Sequence, residues 1–234
     1  MKAEQVRKRL RQLADRDRAE VSQRFFKTGP GQYGEGDVFL GVRVPDLRRL
    51  AGDFQELDLK GIRTLLRSEV HEERALALLI LLRNYQRGGD RERERVYTFY
   101  MNHLRFINNW DLVDVSAEHV VGAFLKDKSR KPLHRLARSA DLWERRVSIL
   151  ATFHYIKAGE FSETLKIART LLSDEEDLIQ KAVGWMLREV GKRDLAAEER
   201  FLREHYRKMP RTMLRYAIER FPESKRQRYL KGKV

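Results

Sequence analysis

The chain has 234 residues, of which 41% are apolar and 36% are charged. It carries 49 Lys and Arg against 35 Asp and Glu, a net charge of +14, and it has no cysteine. This composition is too apolar for a disordered chain, and the lack of cysteine excludes disulfides, thiolate metal sites, iron–sulfur clusters and cysteine nucleophiles. The longest apolar run, Ala75–Leu82, is far shorter than the ~20 residues that span a bilayer.

The surplus positive charge lies mainly at the two ends of the chain. Residues 201–234 carry a net charge of +8 and residues 1–50 a net charge of +5. A surplus of this size favours a polyanionic partner, with nucleic acid first and an anionic membrane second. The first residues, Met1–Arg9, have no apolar core behind their charges, so no signal peptide is expected. We expect a cytoplasmic protein that associates with the nucleoid.

The pattern along the chain predicts an all-α fold. Strong helix formers dominate, and apolar residues recur every three or four positions, most clearly over 142–156 and 177–190. Residues 28–41 form the one long irregular stretch. Its glycine-rich part, 29–37, is predicted to be a connecting loop or a mobile lip of a groove. Four prolines adjoin the ends of helical patterns, namely Pro45, Pro132, Pro210 and Pro222. No long linker interrupts the chain, so one domain over 1–234 is expected.

Five helical segments resemble one another at nearly regular spacing, and they are 71–84, 111–125, 141–156, 177–191 and 211–222. Steps of 32 to 40 residues are typical of an α-solenoid of HEAT-like helix pairs, although an ordinary helical bundle could also produce them. The equivalent position before each apolar run is basic in four segments and acidic in one, and these residues are Arg74, Asp114, Arg146, Lys181 and Arg215. Since equivalent positions line one surface of a solenoid, we expect a basic concave groove with a single carboxylate.

Asp114 is therefore the residue that the pattern singles out. A groove that binds phosphates gains nothing from a central acid, so Asp114 either pairs with a basic residue such as Arg146 or takes part in chemistry or cation binding. Trp110 lies one turn before Asp114, and Trp185 one turn after Lys181, which predicts that both rings flank the carboxylate. Aromatic faces beside a carboxylate form a good receptor for a cationic group.

Other catalytic motifs are missing from the sequence. The six histidines are scattered, with no pair at i, i+4, so we expect no metal site and predict each histidine to be a core or surface residue. There is no P-loop, dinucleotide fingerprint or nucleophile elbow, and no cofactor is expected. Trp143 lies in the apolar stripe of its helix and is predicted to be buried.

Three strings of residues, in this order, resemble the AlkD family of DNA alkylation-repair glycosylases, which are HEAT-like repeat proteins. These strings are Asn109–Asp114, Trp143–Arg146 and Ile179–Glu189. The resemblance covers roughly residues 3–230, and the glycine-rich segment 29–37 is an insertion that the best-known members lack. It implies that Asp114 is the catalytic residue, that Trp110 and Trp185 are the tryptophans of the groove, and that Arg146 is the arginine of the following repeat.

The resemblance also implies an activity. This is hydrolysis, in base excision repair, of the N-glycosidic bond of N3- or N7-alkylated purines in double-stranded DNA. Such a base is already cationic and leaves without a general acid, so one carboxylate suffices where glycoside hydrolysis usually uses two. A shallow groove is implied in place of a pocket for a flipped base. The side chains expected to bind phosphates are Arg43, Arg48, Arg146, Lys181, Arg188 and Arg215.

Two other functions stay open from the residues alone. One is a non-catalytic HEAT-repeat DNA-binding protein, against which Asp114 and the two tryptophans argue. The other is a solenoid scaffold for protein interactions, which would not need a charge of +14. No membrane partner is expected, because the aromatic residues of helix 196–208 fit a packed face equally well. An open groove needs no second subunit, so a monomer is expected.

Overall fold

A computed structural model describes residues 2–234. Throughout that range the backbone forms helices joined by turns and loops, apart from an isolated parallel bridge between Val38 and Val70. The predicted all-α, helical-repeat class is confirmed. The chain divides into two compact units, Met1–Ser116 and Ala117–Val234, and the single domain stays a prediction. Among the described residues, no helix combines the length and apolarity needed to cross a membrane.

Seven α-helices of the described chain begin in the first unit. They are α1 (Ala3–Arg11), α2 (Arg16–Phe25), α3 (Val44–Asp53), α4 (Leu59–Leu66), α5 (His71–Arg87), α6 (Asp90–Asn102) and α7 (Trp110–Ala117), with a 3₁₀ turn at Leu104–Phe106. Helices α3, α4 and α6 pack against α5, which is the centre of the unit. The run Ala75–Leu82 leaves α5 without a polar face there, so the helix is buried between its neighbours.

The glycine-rich segment 29–37 is an irregular run of turns, as predicted. The backbone at Gly34 packs so closely on the preceding turn that a side chain would collide with it. At the end of the segment Asp37 is buried, and the next residue, Val38, accepts a hydrogen bond from the N–H of His71 at 2.8 Å. The loop therefore brings Asp37 to the N-terminal end of α5.

Eight further α-helices of the described chain lie in the second unit. They are α8 (Lys131–Leu136), α9 (Leu142–Ala151), α10 (Phe153–Lys157), α11 (Ser162–Thr170), α12 (Asp177–Gly191), α13 (Leu195–His205), α14 (Arg211–Ala217) and α15 (Glu223–Leu230), with a π-helical turn at Glu118–Gly122 and a 3₁₀ turn at Ile218–Arg220. Helices α9, α13 and α14 pack against α12. Gly184 lets α14 approach closely, because a side chain there would collide with the backbone at Met213.

The two stripes predicted in the second unit have different outcomes. Segment 177–190 is confirmed as α12, whereas 142–156 is divided at Thr152 into α9 and α10. The Thr152 hydroxyl donates to the Ile149 carbonyl at 2.6 Å, and threonine back-bonding of this kind bends helices. Trp143 is buried, as predicted.

The four prolines mark the starts of helices in both units, as their positions predicted. Pro45 and Pro132 lie in the first turns of α3 and α8, and Pro210 and Pro222 directly precede α14 and α15. Proline is tolerated there because the first N–H groups of a helix have no partner within it.

Candidate active-site cleft and basic side chains

The first unit contains a cleft of about 750 Å³. Aromatic rings, carboxylates and arginines line it, among them Phe26, Phe39, His71, Glu72, Trp110, Asp111, Asp114, Arg18, Arg43 and Arg48. This volume lies in the range of small-molecule sites. The shallow groove that the resemblance implied stays a prediction.

Helix α7 brings Trp110 and Asp114 into this cleft, four residues apart along one helical face. The helix starts at a fixed point, because the buried Asn109 accepts the N–H of Trp110 on its side-chain oxygen at 2.8 Å. The indole ring stacks on Phe26, with 5.3 Å between centroids and 14° between planes. Burial, and to a lesser extent the charge of Asp114, raises the pKa of Tyr100.

A second carboxylate, Asp111, lines the same cleft and is tied to the interior by His71. The His71 Nε2 atom lies 2.7 Å from Asp111 Oδ2, and its Nδ1 atom lies 3.1 Å from Asp37 Oδ2. Burial alone would lower the pKa of His71, but the hydrogen bonds to Asp111 and Asp37 raise it above its ordinary value. A protonated imidazole donates from both nitrogens, so the chain Asp37–His71–Asp111 holds Asp111 in one orientation.

Asp37 is the buried centre of this chain of side chains. Besides His71, it accepts hydrogen bonds from Arg74 Nη2 at 2.6 Å and from Asn109 Nδ2 at 3.3 Å. Burial would raise the pKa of Asp37, but the hydrogen bonds from His71 and Arg74 hold it below its ordinary value. The loop 29–37, the start of α5 and the start of α7 are thereby joined at one carboxylate.

The prediction that Arg74 lines a basic concave groove is wrong. Arg74 is only 4% exposed, and besides its ion pair with Asp37 it donates to the Ser68 carbonyl at 3.0 Å. The physical reason is the apolar run of α5, which draws the first turn of the helix into the core with it. Arg74 therefore neutralises Asp37 and is not available to a phosphate.

Glu72 fixes the part of the cleft wall that directly precedes Arg43 in the chain. Its carboxylate accepts the backbone N–H groups of Leu40, Gly41 and Val42 at 2.7 to 3.2 Å. Gly41 has φ +77°, a left-handed conformation that glycine adopts without strain. The turn preceding α3 is thus fixed by a buried acid from α5.

The predicted cations of the first unit, Arg43 and Arg48, are both exposed and line the cleft. The Arg43 side chain is 67% exposed, and its Nε lies 3.3 Å from Asp46 Oδ2. Arg48 forms no ion pair with any side chain within residues 2–234. The first unit therefore brings together Trp110, Asp114 and both predicted arginines.

In the second unit, Arg146 and Lys181 have different environments. Arg146 is buried, and its Nη1 donates to the Leu178 carbonyl at 2.6 Å. Lys181 is 38% exposed, with its Nζ 2.6 Å from Asp177 Oδ2 one turn earlier on α12. Because Arg146 is buried, a contact with a phosphate is unfavourable for it. Lys181 is more accessible and can exchange its ion pair with Asp177 for one with a phosphate. Both DNA contacts stay predictions.

Trp185 is half-buried on α12 and is fixed within its own unit. Its Nε1–H donates to Glu189 Oε1 at 3.2 Å, and its ring meets Phe153 edge-on at 5.8 Å. Burial would raise the pKa of Glu189, but the hydrogen bond and charge of Lys192 and the Trp185 N–H hold it below its ordinary value. An ionised carboxylate therefore orients the indole.

Arg188 and Arg215, also predicted to bind DNA, differ in their exposure and in their ion pairing. The Arg188 side chain is 17% exposed and forms an ion pair with Glu219. Arg215 is exposed on α14. A polyanion can meet Arg215 directly but must compete with a carboxylate for Arg188.

The sequence did not single out Asp37, His71 or Asp111 as residues of the site. A usable signal existed for Asp111, since it lies three residues before Asp114 and so near the same helical face. None existed for Asp37, which is separated from His71 by 34 residues. Among the described residues, no group of three or more histidine, cysteine or acidic side chains is placed to hold a metal ion.

These features define a helical-repeat protein whose first unit has a cleft lined by acids and a tryptophan. The chain belongs to the family described as DNA alkylation repair enzyme, whose model matches residues 6–221. The resemblance stated from the motifs is thus confirmed. Membership gives the chain a role in DNA repair and implies that it interacts with DNA.

Solved structures support the fold. A protein from Enterococcus faecalis, described as a predicted DNA alkylation repair enzyme, is 18% identical with a TM-score of 0.70, covering 90% of this chain and 97% of its own. AlkD2 from Streptococcus mutans is 17% identical with a TM-score of 0.57, covering 88% of this chain and 99% of its own. At such identities the likeness extends to the fold alone. No curated protein is similar enough to this chain to count as a match.

Proposed function

We propose that the protein is a DNA glycosylase of base excision repair that removes N3- or N7-alkylated purines from double-stranded DNA. The observation that carries this proposal is the presence of Asp114 and Trp110 in one cleft, on one face of α7. Membership of the DNA alkylation repair enzyme family supports the substrate class. The proposed activity needs one carboxylate, and Asp114 is the residue with that role.

The chemistry follows from the charge of the damaged base. Alkylation at N3 or N7 makes the purine a cation, and it leaves with the electron pair of the glycosidic bond without taking a proton. The sugar then develops positive charge at C1′, which the carboxylate of Asp114 stabilises. Water held by Asp114 attacks C1′, its oxygen forms the new bond to that carbon, and its proton passes to the surrounding water to complete hydrolysis. Electrostatic stabilisation of this kind typically contributes about 3–4 kcal/mol.

The two tryptophans are proposed to contact the sugar of the damaged nucleotide and its backbone. Trp110 has a defined place for this, since its ring is stacked on Phe26 and lines the cleft with Asp114. Trp185 is held by Glu189 in the second unit, so its ring is also pre-oriented. An aromatic face also stabilises nearby positive charge by about 0.5–2 kcal/mol, depending on its exposure.

The basic side chains are proposed to bind phosphates on both sides of the lesion. Arg43, Arg48 and Arg215 are exposed, and Lys181 and Arg188 would exchange a carboxylate partner for a phosphate. Arg146, which is buried, is proposed to act at short range near the reacting nucleotide. The reaction needs water and no cofactor, and a single chain is proposed to carry it out.

The test of this function is a comparison of two duplexes that differ only in the damaged base. One carries 7-methylguanine and the other carries uracil, a neutral base. We expect base release from the first and at least ~10²-fold slower release from the second, because a neutral base needs a general acid that the proposed mechanism lacks. Equal release from both would contradict the mechanism.

A result without any release would point elsewhere. Tight binding that weakens by ~10³–10⁵ between 50 and 200 mM salt would then indicate a non-catalytic DNA-binding protein. Binding with a flat salt profile would indicate a scaffold for other proteins.

A further inference from the structure

We propose that His71 is a positioning residue of the glycosylase reaction, which fixes the first turn of α7 and thereby the orientation of Trp110 beside Asp114. This inference rests on the proposed function and adds to it a residue that is only 3% exposed and so is too buried to bind DNA itself. Two observations point to it. Hydrogen bonds from both sides of Trp110 converge on Asp37, and a row of stacked rings joins His71 to Trp110.

Trp110 lies between two residues that are both tied to the buried carboxylate of Asp37. Asn109 donates from Nδ2 to Asp37 Oδ2 at 3.3 Å, and its Oδ1 accepts the N–H of Trp110 at 2.8 Å. Asp111 is tied to Asp37 through His71, whose ring nitrogens lie 2.7 Å from Asp111 and 3.1 Å from Asp37. The backbone is therefore held on either side of the tryptophan.

A row of rings provides a second connection between His71 and Trp110. Phe39 stacks on His71 with 4.5 Å between ring centroids and 21° between planes. Phe26 in turn stacks on Phe39 at 4.9 Å and on Trp110 at 5.3 Å. Close-packed rings transmit a displacement because there is little space to absorb it. A shift of the imidazole should thus move both the backbone and the ring of Trp110.

The link from His71 to Asp111 is the part of this arrangement that can be removed with the least damage to the core. Asp37 also accepts hydrogen bonds from Arg74 and Asn109, whereas Asp111 has a hydrogen bond to His71 alone among the described residues. Burial would lower the pKa of His71, but the hydrogen bonds to Asp111 and Asp37 raise it, which favours the protonated ring that can donate to both carboxylates. Breaking the link at Asp111 therefore frees the first turn of α7 and leaves the other contacts of Asp37 in place.

A small movement of this turn should affect the rate and hardly affect binding. Trp110 and Asp114 lie one helical turn apart in the cleft, and both are proposed to act on the sugar of one nucleotide. A misplacement of about 1 Å at a reacting group can cost as much as ~10²-fold in rate. The proposed phosphate contacts are made by other side chains, such as Arg48, so the affinity for the duplex should not depend on His71.

The test compares Asp111→Ala with Asp111→Asn in single-turnover release of 7-methylguanine. The amide of Asp111→Asn can still form a hydrogen bond with the His71 ring, so we expect a rate within about threefold of wild type. Asp111→Ala removes the link and should be about tenfold slower, with unchanged affinity for the duplex. Asp127→Asn and Asp127→Ala make the same changes at an exposed position with no ion pair among the described residues, and neither should change the rate.

A spectroscopic measurement follows the position of Trp110 without relying on activity. In protein labelled with ¹⁵N at tryptophan, the Trp110 indole resonance is identified by its loss in Trp110→Phe. We expect this resonance to move clearly in Asp111→Ala and much less in Asp111→Asn, because a ring that shifts against Phe26 changes its magnetic environment. The resonance of Trp143, which is buried in the second unit, should stay in place in both variants.

Three outcomes would overturn the inference. Release at the wild-type rate by Asp111→Ala, at a temperature where circular dichroism shows it to be folded, would limit Asp111 and His71 to a role in stability. Equal losses in Asp111→Ala and Asp111→Asn would mean that Asp111 acts through its charge. A Trp110 resonance that moves no more in Asp111→Ala than in Asp111→Asn would mean that the link does not hold the ring.

The same measurements separate this inference from the proposed function. If wild type releases no base, the glycosylase proposal fails, and the Trp110 resonance still decides whether His71 holds the first turn of α7. If wild type releases the base and the two Asp111 variants match it, the positioning role fails and the glycosylase proposal stands.

Discussion

The two units of this protein differ in where the charged residues assigned to the candidate site lie. In the first unit, four consecutive ionisable residues, His71–Arg74, are buried at the start of α5, and each has partners inside the unit. In the second unit, the residues predicted to bind DNA are mainly at helix surfaces, where Lys181 and Arg188 have exchangeable carboxylate partners. Buried, fully partnered charge fixes the geometry of a site, whereas surface charge provides general attraction to a polyanion.

This comparison assigns different tasks to the two units. The first unit has the carboxylates and the cleft, so the proposed chemistry takes place there. The second unit has the oriented Trp185 and exposed cations such as Arg215, so we assign it a larger share of the binding to sugar and phosphate.

The largest effect on stability is expected from Asp37→Asn. This variant keeps the size of the side chain but leaves His71 and Arg74 without their shared negative partner in the core. Removing one member of a buried ion-pair network costs about 3–5 kcal/mol, measured as a shift of the urea unfolding midpoint at constant slope. Asp127→Asn is the matched surface control and should stay within ~0.5 kcal/mol of wild type. If Asp37→Asn lowers the free energy of unfolding by less than about 1 kcal/mol, the buried side chains that Asp37 joins do not organise the first unit.

Stability is expected to respond to pH through Glu198, a buried acid of the second unit. Burial, with the nearby charge of Glu199, raises the pKa of Glu198 to about 8. The unfolded chain releases this proton near pH 4.5, so the protein loses stability as the pH rises from there to about 8. Glu198→Gln cannot ionise and should be more stable than wild type at pH 8 by about 1–3 kcal/mol.

Thermal unfolding at pH 5 and pH 8 checks this expectation. The advantage of Glu198→Gln over wild type should be small at pH 5 and should grow at pH 8. An equal difference in stability between Glu198→Gln and wild type at both pH values would mean that Glu198 ionises in the folded protein as it does in the unfolded chain. The comparison of the two units would then rest only on residues that have hydrogen-bond or ion-pair partners.

Replacing a single arginine that contacts phosphate is expected to have a smaller effect, on the salt dependence of DNA binding. It tests the difference between an unpaired arginine of the first unit and a paired arginine of the second. Arg48→Gln should lower the slope of log K against log salt by about 0.9, the value for one phosphate contact. Arg188→Gln should lower it less, because Arg188 already neutralises Glu219 in the free protein. Titrations of one undamaged duplex at several salt concentrations measure both slopes. A larger change for Arg188 than for Arg48 would reverse the proposed ranking of free over paired arginines.

Periodicity was sufficient to predict the all-α class and the placing of Trp110 and Asp114 on one face of a helix, because both depend on local spacing. It failed for Arg74, since repeat position alone does not reveal that the apolar run Ala75–Leu82 buries the whole start of α5. It could not reveal the chain Asp37–His71–Asp111, whose members are 34 and 40 residues apart and meet only after the loop folds.

The cleft itself was also beyond the sequence. Its wall depends on the stacking of Phe26 and Phe39, which lie on either side of the loop 29–37. The same segment has close packing at Gly34 and a left-handed turn at Gly41, and neither follows from a local preference for glycine in loops.

The most direct test of the account is the rate of 7-methylguanine release by Asp114→Asn under single-turnover conditions, compared with wild type and with Asp127→Asn. We expect a loss of ~10²-fold or more for Asp114→Asn, no loss for the control, and unchanged affinity of both for the duplex, because Asp114 acts on charge that develops only in the transition state. Release at the wild-type rate by Asp114→Asn would contradict it and would make Asp114 a structural residue of the cleft.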